Sequence, residues 1–232
     1  MQKLNAPAHL IEQVYDAILD AICEGTLQPN ERVTQEGLAA QLGVSRQPIL
    51  QAFQILKREG FIEDHGRKGV IVTPLDPQKL VQLYQVRAAL DALAARNAAR
   101  LAQQNNTKKL QAAADKLISQ GRAGAAANDT RALVRLDMAF HQFIYEMSGN
   151  PVIAQTTALH WHHIRRTMSS ILQNDVRTFE GVWDEHQAIL NAIFNGNEEL
   201  AQQLAQQHAE SAVEHLARIL EGSEHAAKLK LA

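Results

Sequence analysis

Thr34-Gln35-Glu36-Gly37-Leu38-Ala39-Ala40-Gln41-Leu42-Gly43-Val44-Ser45-Arg46-Gln47-Pro48-Ile49 reads as two helices around a tight turn. Thr34 is a good N-cap type, and Leu38, Ala39 and Leu42 repeat on a helical period before Gly43-Val44 breaks it. Ser45 is expected to cap the next helix, which carries Ile49, Ala52, Phe53 and Leu56 on one face and stops near Gly60. Upstream, Ile11, Val14, Tyr15, Ile18 and Ile22 form an apolar stripe over residues 9–24, with Glu12, Asp16, Asp20 and Glu24 as an acidic stripe on another face. Downstream, Phe61-Ile62 and Val70-Ile71-Val72-Thr73 predict a β-hairpin around the polar tip from Glu63 to Gly69. Helix, short helix, turn, capped helix and hairpin make a winged helix-turn-helix.

That architecture suits DNA. The start of the third helix points free N–H groups and a positive dipole end at phosphate. Arg46, Gln47 and Gln51 share its exposed side, and such side chains can read base edges in a major groove. The expected DNA-binding residues are Thr34, Ser45, Arg46, Gln47 and Gln51, with His65, Arg67 and Lys68 on the wing tip. The competing reading is a small helical domain with a solvated basic tip.

Bulk composition is less informative. A net charge of −2 gives no hint of nucleic acid, and residues 1–76 alone carry −3. Residues 45–73 carry +2, however, so the charge is polarised and the acidic stripe of the first helix must face away from a duplex. So few basic groups per chain imply a dimer, in which two such surfaces add. The one cysteine, Cys23, excludes a disulfide framework and a CxxC zinc site. With no long apolar run and no signal-peptide pattern, the expectation is a soluble intracellular protein without membrane contact.

Five of the six prolines fall within the first 77 residues, and the break comes at Thr73-Pro74-Leu75-Asp76-Pro77. The predicted domains are therefore 1–75 and 77–232. The second is poor in proline and rich in alanine, which favours long helices. Its pattern predicts an antiparallel six-helix bundle, with helices over roughly 77–103, 106–120, 128–148, 151–173, 175–195 and 198–222 and a loop at Gly121–Ala127.

Ionisable residues interrupt the apolar stripes of that bundle. Asp137 and His141, four apart, fall among Leu133, Phe140, Ile144 and Met147; His186 falls among Val182, Ile189, Leu190 and Ile193; His208 falls among Leu200, Leu204 and Leu216. Burying them without partners would cost several kcal/mol. His186 and His208 lie on either side of the hairpin at Gly196, each ~15–18 Å from the turn at ~1.5 Å per residue, so antiparallel helices hold the two rings at one height. Three nitrogen donors and one oxygen donor suit Zn²⁺, Ni²⁺, Mn²⁺ or Fe²⁺. A sensing metal, a purely structural metal and a metalloenzyme are the readings such a set admits.

The stretches Glu24–Pro29, Leu38–Ile49 and Leu56–Ile62 resemble the GntR family of bacterial transcriptional regulators. The chain departs from the family pattern in Leu50, where arginine is usual, in Gln51-Ala52-Phe53, and in Asn30, where glycine is usual. Asp137-Met138-Ala139-Phe140-His141, Ser148-Gly149-Asn150-Pro151, Trp183–Ile189 and Gly196-Asn197 with His208 resemble the FadR-type C-terminal (FCD) effector domain, and the six helices resemble its VanR-like subgroup. The resemblance implies a metal held by Asp137, His141, His186 and His208. It also implies a small carboxylate effector, with Arg87 as the matching clamp residue, since guanidinium binds carboxylate bidentately. The alternative for Arg87 is a surface salt bridge. The protein implied is a dimeric regulator, most simply a repressor, of a palindromic operator on double-stranded DNA in a bacterial cytoplasm, associated with the nucleoid and without enzymatic activity.

Overall fold

The computed structural model describes residues 8–66, 69–104, 107–172 and 181–229. Two compact units divide between Leu75 and Asp76.

The first unit runs α1 (Ala8–Cys23), β1 (Arg32–Val33), α2 (Gln35–Leu42), α3 (Arg46–Glu59), β2 (Ile62–Asp64) and β3 (Val70–Val72). Its core is the apolar stripe of α1 (Val14, Ile18, Leu19, Ile22) packed on Ile49, Ala52, Phe53 and Leu56 of α3. Phe61, Ile62, Val70 and Val72 close that core from the sheet side. Tyr15 donates its hydroxyl to Glu59 at 2.6 Å and ties α1 to the end of α3.

The hairpin is present, but it is part of a three-stranded antiparallel sheet of order β1-β3-β2. Arg32 pairs with Ile71 and Val33 with Val70, while Ile62 pairs with Val72. A two-residue strand such as β1 is too short to show a period of two, so the sequence pattern does not reveal it. β2 also reaches Asp64, so Glu63 and Asp64 belong to a strand and not to the tip. Asn30, in the place where glycine is usual, has φ 66°, a left-handed conformation that asparagine tolerates better than other side chains.

The two helix starts differ. Thr34 Oγ1 accepts from the Gly37 N–H at 3.1 Å and caps α2 as expected. Ser45 holds the N-cap position of α3 but makes no side-chain capping bond, which corrects the expected cap. Thr34→Ala should therefore lower stability by about 1 kcal/mol. Ser45→Ala should shift it by less than about 0.5 kcal/mol. Urea denaturation of the two variants checks this, and equal losses would contradict it.

The second unit consists of α4 (Pro77–Gln104), α5 (Lys108–Ala126), α6 (Thr130–Met147), α7 (Pro151–Leu172), α8 (Val182–Phe194) and α9 (Glu198–Leu229), six helices among the described residues. α4 packs against α6, α7, α8 and α9, and α5 against α6 and α8. The expected loop at Gly121–Ala127 is corrected, because α5 continues through both glycines to Ala126. Gly121 is a contact, not a break: a Cβ there would lie 2.3 Å from the Trp183 ring, so its bare backbone lets α5 approach α8. The helix expected over 175–195 begins only at Val182, after Gly181 with φ 88°; the expected start at 175 lies outside the described residues. Among the described residues, no helix is long and apolar enough to cross a membrane.

Candidate metal centre and nucleic-acid surface

α6 carries Asp137 and His141, α8 carries His186 and α9 carries His208, and all four side chains are buried. Each sits where its helix turns an apolar face inward, so packing Phe140, Ile144, Ile189 and Ile193 into the core carries the polar groups with them. The four residues offer one donor atom each within 4.8 Å of one another. His186 Nε2 lies 3.2 Å from His208 Nε2 and 3.5 Å from Asp137 Oδ1, and His141 Nε2 lies 3.9 Å from that oxygen. Donors bonded to one ion at ~2.1 Å stand about 3.0–3.5 Å apart in tetrahedral or octahedral array. The His186 separations from His208 and Asp137 fall in that range, while the His141 separation and the 4.8 Å limit of the set are wider, so His141 would move inward to share the ion.

Two further observations fit a cation at this point. Asp137 Oδ2 and His186 Nδ1 are buried with no hydrogen-bond partner among the described residues. A carboxylate left half-satisfied in the interior is costly unless something positive completes it. Burial first, then the repulsion a second positive charge would meet beside His208, His141 and Arg87, pushes His186 well below the usual histidine range. Burial, with Arg87 adding to it, lowers His141 as well. Both rings thus stay neutral and keep a lone pair for a metal. Phe140 stacks on the His186 ring at 3.7 Å between centroids, and Trp183 meets its edge at 4.8 Å, which fixes the ring orientation.

Around the four donors lie Arg87, the expected clamp residue, and a set of groups that the sequence reading did not assign. Arg87 is 2% exposed, so its ion pair with Asp91 at 3.1 Å is an interior one and the surface-salt-bridge alternative falls. Its guanidinium carbon sits 4.4 Å from the Trp161 ring centroid and 4.9 Å from that of Tyr84, and Nη2 donates to His141 Nε2. Asp91 lies 3.3 Å from His141 Nδ1 and accepts from the Tyr145 hydroxyl. Burial alone would raise the Asp91 carboxyl, but His141 and Arg87 outweigh it and hold the group at about 2. Glu185 accepts from His208 Nδ1 at 2.7 Å. A cavity of about 10 Å³, room for one water-sized group, adjoins His141, Asp91 and Tyr145. One signal for Arg87 and Asp91 was available: they occupy the buried face of α4 with Tyr84, Ala88, Ala92 and Ala95, at the same three- and four-residue spacing that betrays Asp137 and His141. His160, His162 and His163 of α7 are not among the four clustered donors.

In the first unit, α3 buries Pro48, Ile49, Ala52, Phe53 and Leu56 and leaves Arg46, Gln47, Leu50 and Gln51 outward. Ser45 and Thr34 are exposed near the same helix starts. Arg46 pairs with Glu36 of α2 at 2.9 Å, both side chains being 69% exposed, an arrangement that contributes little to stability. Arg46 is therefore accessible to phosphate or base. Leu50 presents an apolar side chain where arginine would have offered a charge. His65 is exposed beside the wing tip, and its N–H donates to the Gly69 carbonyl at 3.0 Å. Arg67 and Lys68 lie outside the described residues.

Comparison with known proteins places both units. Residues 10–72 match the gntR family of bacterial regulatory proteins, and residues 82–211 match the FCD domain. The chain is 25% identical over 231 residues to the uncharacterized HTH-type transcriptional regulator YdhC of Bacillus subtilis, covering 94% of this chain and 96% of that protein. It is 23% identical over 180 residues to the gluconate operon transcriptional repressor of Bacillus licheniformis, covering 74% and 70% respectively. Among solved structures, McbR/YncC of Escherichia coli superposes with a TM-score of 0.76 at 18% identity, over 90% of this chain and 97% of that one, which is a likeness of fold.

Proposed function

The chain belongs to the gntR family of bacterial regulatory proteins, as a member carrying an FCD domain, and from that premise we propose that it is a metal-dependent sensor of a small carboxylate that represses transcription from a palindromic operator. As a transcriptional regulator of this type it is not an enzyme. The observation that carries the metal-sensing reading is the convergence of Asp137, His141, His186 and His208, buried and within 4.8 Å in donor separation. An ion held there, of the Zn²⁺, Ni²⁺, Mn²⁺ or Fe²⁺ kind, would supply a Lewis-acidic point for one carboxylate oxygen. Arg87 supplies the second point of attachment, a permanently charged guanidinium already inside the site. The adjoining cavity has room only for a water-sized group, so the ligand is small or enters as the helices part.

The six described helices of the second unit support a place in the VanR-like subgroup. A homodimer is supported by Leu83, Val86, Leu90 and Leu93 on α4, which repeat at three and four residues, the spacing by which paired helices pack. Val86 and Leu93 are 45% and 42% exposed. Such a dimer would set two copies of α3 on successive major grooves, at work in the cytoplasm on the nucleoid. On DNA, Arg46 and the wing residues Arg67 and Lys68 would meet phosphate, Thr34 and Ser45 would add hydroxyl contacts, Gln47 and Gln51 would read bases, and His65 would flank the wing.

Selection of genomic fragments by the full chain, followed by sequencing, tests the operator reading. Palindromic fragments are expected. On them Arg46→Ala should weaken binding across all sequences and lower the salt slope by about 1. Gln51→Ala should relax preference at one position of each half-site; unchanged preference would sink that role. Complete burial of the four donors also suits a purely structural metal. A chain whose fold depends on the ion, and whose operator affinity ignores every carboxylate, would favour that second reading.

A further inference from the structure

We propose that Asp91 is the positioning residue of the metal centre: its one buried carboxylate fixes the tautomer of His141 and the aim of Arg87 together. This rests on the reading of Asp137, His141, His186 and His208 as a metal site. Arginine has five N–H groups and no acceptor, so the contact of Arg87 Nη2 with His141 Nε2 requires that Nε2 be the nitrogen with the free lone pair. Nδ1 then carries the proton, and it faces Asp91 Oδ2 at 3.3 Å. That same oxygen accepts from Arg87 Nε at 3.1 Å, and the other accepts from Tyr145. Three donors from α4 and α6 thus converge on one buried carboxylate, with space beside it for a single water-sized group. Nε2, 3.9 Å from Asp137 Oδ1, is thus the ring nitrogen left unprotonated beside the other donors, and a metal bound there would take its lone pair in place of the Arg87 contact.

His208 has an analogous partner in Glu185, at 2.7 Å from Nδ1. The difference is exposure: the Glu185 side chain is half exposed and bulk water can take over its role, whereas Asp91 is buried. The two outer carboxylates are therefore unequal, and Asp91 is the one the centre depends on.

Zn²⁺ titrations against a competing chelator, with ¹⁵N spectra of the histidine rings, test this on the full chain. The wild-type chain should show His141 as the Nδ1–H tautomer before any Zn²⁺ is added. In Asp91→Asn the amide offers N–H as readily as oxygen, so the ring should shift toward Nε2–H and Zn²⁺ affinity should fall by about 10–100-fold. Glu185→Gln should change affinity far less. Asp91→Asn also strips Arg87 of its counter-charge, and if that variant fails to fold, Tyr145→Phe decides. It keeps the charge and removes one bond, so it should weaken Zn²⁺ at unchanged helicity. Wild-type affinity with an unshifted tautomer in Asp91→Asn, or equal losses in Asp91→Asn and Glu185→Gln, would overturn the role of Asp91. If Asp91→Asn fails to fold, wild-type affinity in Tyr145→Phe would overturn it. A wild-type chain that takes up no Zn²⁺ would instead overturn the metal reading beneath it.

Discussion

His186→Ala should abolish the rise in thermal stability that divalent metal confers on the wild-type chain. An ion that binds only the folded state stabilises it by about 2.7 kcal/mol when present at a hundred times its dissociation constant. For a chain of this size each kcal/mol moves Tm by roughly 2–4 °C, so the wild-type shift should be of the order of 5–10 °C. His186 is the ring to remove because it stands in the middle of the set, 3.2 Å from His208 and 3.5 Å from Asp137. Alanine there leaves Asp137 and His141 without the donor that links them to α9. It also empties the space between Phe140 and Trp183, so the variant should melt somewhat lower even without metal. The readout is the difference between scans with Zn²⁺ and with chelator. An equal shift in His186→Ala and wild type would show that the ion binds elsewhere.

Gly121→Ala should destabilise the bundle, against the general rule for glycine in helices. Alanine in an open helical position is favoured over glycine by about 1 kcal/mol. At Gly121, however, a Cβ would stand 2.3–2.4 Å from three atoms of the Trp183 ring, which is itself buried. Relieving that overlap means moving the ring or separating α5 from α8, and overpacking of this kind costs typically 1–3 kcal/mol, occasionally more. The clash wins, and Tm should fall. Because Trp183 braces His186, metal affinity should fall with it. Gly124 is the control on the same helix: its Cβ would meet nothing closer than 3.7 Å, so Gly124→Ala should leave stability unchanged or raise it by up to about 1 kcal/mol. Paired melting curves decide, and a stabilised Gly121→Ala would contradict the packing of α5 on α8.

These residues also show how far the sequence could be read. The winged unit was legible because its signals are local: Thr34 before a helical period, Gly43 after it, Gly60 before a strand. Ser45 shows the limit, for a residue type marks a cap position without assuring the capping bond. The four clustered donors were legible because polar residues inside an apolar stripe are costly, and equal distances from the turn at Gly196 brought two helices to one height. The same rule applied to α4 would have drawn in Arg87 and Asp91 as a buried pair, since Ala88, Ala92 and Ala95 mark that face as the inner one. It was obscured because alanine is a weak marker of burial, and Arg87 with Asp91 at four residues looks like an ordinary surface pair. Gly121 misled for a different reason. Glycine signals a break unless a neighbour needs its missing side chain, and that neighbour, Trp183, is remote in sequence.

Operator affinity of the full chain, measured with Zn²⁺ loaded and with Zn²⁺ stripped across a panel of small mono-, di- and tricarboxylates, tests the account at its centre. At least one carboxylate should change the affinity of the Zn²⁺-loaded chain by about 5–150-fold, the range of ordinary allosteric coupling. That change should vanish in the stripped chain and in His186→Ala. Identical affinities in the loaded, stripped and His186→Ala chains, with and without carboxylate, would contradict it.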